Sequence, residues 1–68
     1  MLFRGYRQAL GENEILFAIA PNGKVFKSER HPVSNKFFDN RYPFTGTKLT
    51  AEYVELNYEF IGNYVQGV

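Results

Sequence analysis

The stretch from Glu14 to Ser28 constrains this chain more than any other part of it. An apolar run, Glu14–Ala20, meets Pro21, Asn22 and Gly23, and a second short run, Lys24–Ser28, follows. Proline fixes φ early in a turn, and Asn and Gly accept the positive φ that tight hairpins require. The pattern predicts strand, turn, strand. Upstream, Leu2–Arg7 alternates imperfectly, and Gly11-Glu12-Asn13 supplies a turn back toward the hairpin. A three-strand meander is therefore expected.

The C-terminal part supports two assignments. Thr50-Ala51-Glu52 has the form of a helix start, with Thr as N-cap and an acid in the first turn. Against it, Val54, Leu56, Tyr58 and Phe60 alternate without error with Glu55, Asn57 and Glu59. At helical spacing the same apolar residues spread over more than half the circumference. Tyr, Val, Phe and Ile also favour strands, so a strand over about 52–61 is expected. The predicted fold is mainly β, a small antiparallel sheet or open barrel of four to five strands. The alternative is an α+β arrangement, a three-strand sheet with a C-terminal helix at about 50–61.

Residues 1–68 make a single domain, with no repeat, low-complexity segment or linker. A chain this short buries only about 60% of its unfolded surface, and without cysteine it has no disulfide to reinforce it. Its core material is aromatic: seven Phe and five Tyr, each ring able to bury on the order of 150–250 Å². That supply exceeds what so small an interior needs, so several rings are expected at the surface as contacts.

All eight Lys and Arg residues lie at or before Lys48, where four acids accompany them, and the remaining charges are Glu52, Glu55 and Glu59. The first 48 residues thus carry +4 and the last 20 carry −3. Such asymmetry either steers a charged partner or draws the two parts together. No apolar run is long enough to span a bilayer, and the N-terminal residues lack a signal peptide's apolar stretch. No membrane association and an intracellular, cytoplasmic location are expected.

Catalysis is disfavoured by inventory. With no Cys and one His, the common Cys/His zinc sites cannot be assembled in one chain, and no Gly-rich phosphate loop is present. His31 is the sole general base near neutral pH, close in sequence to Ser28 and Ser34. A solvated loop histidine accounts for it better. Glu52, Glu55 and Glu59 admit a carboxylate-pair or weak cation-site reading only on a helix. On a strand Glu55 and Glu59 stand about 13 Å apart, at about 3.3 Å per residue, as a solvating strip. No catalytic residue, metal or cofactor is expected.

Binding has more material. The connection of residues 29–48 is long for a small domain, and Ser34 is a candidate cap for a helical turn over residues 35–38. Within it Lys36, Phe37, Phe38, Arg41, Tyr42 and Phe44 match the aromatic and Arg enrichment of protein-binding hot spots. At least two of the four rings are expected to fold inward, leaving Arg41 as charged anchor and Tyr42 or Phe38 as aromatic anchor. Single-stranded nucleic acid is the alternative partner. Arg4, Tyr6, Arg7, Lys24, Phe26 and Lys27 interleave rings with cations, as in small β domains that stack bases beside a basic groove. Against this stands a sequence pI of only about 8.0. A homo-oligomer that buries an exposed strand or surplus rings is the third expectation.

Three fragments resemble a family, the YopX-like proteins of bacteriophages and prophages. Phe3-Arg4 looks like that family's opening strand, Phe44-Thr45-Gly46 is similar to its Tyr-Thr-Gly turn, and Tyr58–Asn63 resembles its closing segment. The chain is much shorter than the family's members, and the resemblance carries no site residues. It implies a phage or mobile-element origin, where small single-domain proteins often bind and inhibit or modulate a larger host protein. A small, aromatic-rich, non-enzymatic protein-binding module is the function expected from the sequence.

Overall fold

The computed structural model describes residues 2–31 and 36–65. The candidate cap Ser34 falls outside the described residues. Leu16–Ala20 are buried at every position, with no alternation, as expected of a strand covered on both faces. They belong to β2 (Asn13–Ile19) and the residue after it. This strand pairs antiparallel with β1 (Leu2–Leu10) and β3 (Val25–Arg30). The hairpin between β2 and β3 is closed by hydrogen bonds from Ala20 N to Lys24 O and from Gly23 N to Ala20 O, both 2.9 Å. Gly23 takes the expected positive φ, 87°, whereas Asn22 does not; its side chain instead accepts from Lys24 N at 3.0 Å, the other turn role open to Asn.

The expected meander is present. Two further strands extend it, β4 (Thr45–Gly46) beside β3 and β5 (Glu59–Val65) beside β1. The five strands form one antiparallel sheet in the order β4-β3-β2-β1-β5. It stays open and does not close into a barrel.

A helix, α1 (Ala51–Asn57), occupies most of the segment expected to be strand. The strand over 52–61 is thus corrected to a helix followed by a strand that starts at Glu59 and continues to Val65. Two local bonds explain the outcome. The Thr50 hydroxyl accepts from Tyr53 N at 3.2 Å, and the Asn57 side chain donates to Tyr53 O at 2.8 Å. So short a helix needs only a narrow inward stripe, and Ala51, Val54 and Tyr58 supply it. Leu56, which made the alternation look unbroken, is 84% exposed.

Each face of the sheet has its own cover. On one, α1 and Leu49 lay Val54 and Ala51 over Tyr6, Phe17, Ile19 and Val25. On the other, residues 36–44 lay Phe37, Phe38 and Phe44 over Phe3, Leu16, Ala18, Ala20 and Phe26. Residues 36–44 of the long connection are therefore a second covering layer. Gly5 lies under it: a methyl group there would stand 2.7 Å from Tyr64 Cε2 and 2.8 Å from Phe37 Cε2.

Candidate functional site

Covering a sheet with a loop leaves a gap where the loop's rings stop short of the hairpin. Phe3, Ala18, Ala20 and Phe26 form its floor, Phe38, Tyr42, Pro43 and Phe44 one wall, and Asn22, Lys24, Asp39 and Asn40 the polar rim, around about 560 Å³. The space exists because two floor positions are alanine. The rings around it are fixed against each other, with centroids 5.5 Å apart for Phe3 and Phe38 and 5.6 Å for Phe38 and Phe44.

The wall is pinned from beneath by β3. Ser28 is buried and donates its hydroxyl to Tyr42 O at 2.9 Å. Arg30, 2% exposed, donates to the carbonyls of Lys36 and Phe37 and lies 5.6 Å from the Tyr42 ring centroid. Burial pulls the Arg30 guanidinium below its usual pKa, and Glu14 and Asp39 act in the opposite direction. An arginine nonetheless keeps its charge.

Of the five residues expected to bind protein, Phe37 is buried in the core and Phe38 is half-buried as groove wall. Tyr42 is half-buried and exposes part of its ring to the groove, while Lys36 and Arg41 are exposed. Two or more loop rings fold inward as expected, since Phe38 and Phe44 pack beside Phe37. Arg41 differs from a free charged anchor. Its Nε and Nη2 atoms donate to the two carboxylate oxygens of Asp39 at 3.2 and 2.9 Å, and that hydrogen bond, with the charge behind it, raises its pKa. The guanidinium also lies 5.6 Å from the Tyr42 ring centroid, so Arg41 braces the wall.

The six residues of the nucleic-acid alternative are dispersed. The strands β1 and β3 that carry most of them are separated by β2. Tyr6 is buried beneath α1, where burial and then Glu55 raise its pKa. Phe26 packs on the opposite face. Arg4 is bonded to Glu55, Arg7 to Glu59 at 3.1 Å, and Lys27 lies 3.9 Å from Glu29. Lys24 stands at the hairpin, on the rim of the groove. His31 is exposed, and Ser28 is engaged by Tyr42. Among the described residues, no group of three or more His, Asp or Glu side chains is placed to hold a metal ion.

Sequence reasoning missed Ala18, Ala20 and Asn22. Their signal was present: small side chains two apart in an otherwise bulky apolar run mark one face of a strand with room above it. No family model, curated protein or solved structure matches the chain, so the resemblance to YopX-like proteins rests on its three fragments alone.

Proposed function

We propose that this chain is a non-enzymatic protein-binding module, and that the groove between residues 38–44 and the β2–β3 hairpin receives an apolar side chain of a larger host protein. The ring-lined groove of about 560 Å³ with an alanine floor supports this. Aromatic walls supply large contact area at low entropic cost, and a polar rim excludes water around a buried anchor. Lys24 on the rim makes no ion pair among the described residues, which favours an acidic group beside that anchor. A phage or mobile-element origin, suggested by the three fragments, makes inhibition or modulation of the host protein the expected effect.

The test is affinity capture from host lysate with nuclease present, comparing the wild-type chain with Ala20→Leu, which fills the groove without removing a ring. A stoichiometric protein held by the wild type and lost with Ala20→Leu is the expected result. Equal retention by both chains, or retention of nuclease-sensitive material only, would overturn the assignment.

A further inference from the structure

The sheet has two outer edges, and they differ. The edge at β4 is a strand of two residues, whereas β5 at the other end runs for seven. Alternate residues of an edge strand direct their N–H and C=O groups away from the sheet, and among the described residues no strand pairs with the outer side of β5. Lys and Pro, the usual edge-protecting residues, are missing from β5, and its one charge is Glu59 at the start. A bulge interrupts pairing at Ile61, since Gly62 faces Gly5 and Phe60 faces Tyr6. Beyond it, Gly62–Val65 pair regularly with Leu2–Gly5.

Exposed apolar side chains collect at this edge. Leu2, Phe60 and Val65 are 48%, 51% and 68% exposed. Val65 lies opposite Leu2 and Phe60 opposite Tyr6. Leu2 and Tyr6 are four residues apart on one strand and share a face, so all four side chains lie on one side of the sheet.

We infer that β5 is a dimerisation edge, joining a second copy of this chain antiparallel about a two-fold axis so that Phe60 of each copy lies opposite Val65 of the other. Opposed residues in an antiparallel pair share a face, and Phe60 and Val65 satisfy that. The pairing makes a continuous apolar row, running from Leu2 and Val65 of one copy to Phe60 and Tyr6 of the next, repeated by the symmetry. Within each copy the Phe60 and Tyr6 rings already lie 5.2 Å apart.

Self-complementarity favours a second copy as the occupant, since one two-fold pairing matches exposed Phe60 with exposed Val65 at both ends of the seam, and charge does not oppose it. In this register, with the bulge at Ile61 taking up one residue, the two Glu59 side chains fall at opposite ends of the seam, about 20 Å apart at about 3.3 Å per residue. That is well beyond the screening length of roughly 8 Å at physiological salt. No other charge lies on the strand. Assembly stops at two copies, because each end of the ten-strand sheet is then the two-residue β4.

Sedimentation over about 1 µM to about 1 mM, the range of weak association, tests the inference. The wild-type chain is expected to shift from monomer to dimer. Val65→Lys, at an exposed position, is expected to weaken dimerisation at least tenfold with unchanged circular dichroism. A wild-type monomer throughout, or a Val65→Lys chain that dimerises like wild type, would overturn it. The register is tested separately. Because the chain has no cysteine, the double variant Phe60→Cys with Val65→Cys is expected to cross-link between copies on oxidation, whereas Leu56→Cys is not. Failure of the double variant to cross-link, or equal cross-linking of Leu56→Cys, contradicts the register. Neither experiment involves the groove, so its outcome leaves the proposed function to its own test.

Discussion

Single residues set how closely the two covers approach the sheet. Gly5 has an ordinary backbone conformation, and its importance is space: Tyr64 and Phe37 stack over it with ring centroids 4.1 Å apart. Gly5→Ala is expected to cost about 1–3 kcal/mol through overpacking, measured by urea unfolding. Gly11, where an added methyl meets nothing within 4 Å, is not a comparable control, because its φ of 59° adds strain of its own. Arg30 acts differently, since it satisfies two backbone carbonyls beneath the loop. Arg30→Ala leaves them unpaired and is expected to cost roughly 2–4 kcal/mol. Arg30→Lys should rescue little, because an ammonium lacks the planar fork.

Tyr6 and Tyr58 give a pH signature. Burial, the first cause in both, raises their pKa above the ordinary 10.0, and hydrogen bonding to Glu55 or Tyr53 adds to it. A folded-state pKa above the unfolded one means that the native protein holds its proton longer. The stabilisation is complete below about pH 10 and declines as pH rises through the folded values. Stability is therefore expected to fall in that alkaline window, and Tyr6→Phe should make the fall shallower. An unchanged pH profile in the variant would contradict this.

Among the elements, the two strands of the hairpin were legible because their turn chemistry is local. Pro21, Asn22 and Gly23 together mark a turn from neighbours alone, although only Gly23 takes the positive φ read for both it and Asn22. The segment 50–61 was harder, because its deciding facts are not periodic. The cap at Thr50 signalled a helix correctly, but the alternation at Val54, Leu56, Tyr58 and Phe60 weighed more. What tipped the balance is tertiary: Val54, fully buried, met the sheet with only Ala51 and Tyr58 beside it, and Leu56 was left to solvent. Thr50→Ala is accordingly expected to cost about 1 kcal/mol, read as a lower denaturation midpoint. The loop was legible as a supply of rings, at least two of them turned inward, but not as a layer. Nothing in the order of Phe37, Phe38 and Phe44 tells that all three lie on one face, since their placement depends on Arg30 and Ser28 from another element.

At the scale of the whole molecule, a five-strand sheet that does not roll into a barrel is covered instead by a helix on one side and a loop on the other. The loop is the thinner cover, so the groove lies beside it. No described helix is long and apolar enough to cross a membrane. The charge asymmetry of the sequence is largely consumed inside the fold, as Glu55 and Glu59 reach back to Arg4 and Arg7. That leaves less of it to steer a partner, so the proposed recognition rests on the groove's shape and rings.

The groove assignment is tested most directly by methyl NMR of the chain bound to its captured partner. Ala18 and Ala20 report on the groove floor, and the Val65 methyl groups report on the sheet edge. Shifts and new partner contacts at both alanines, with Val65 unmoved by the partner, are the predicted result. Binding that leaves the Ala18 and Ala20 signals unchanged would contradict the account.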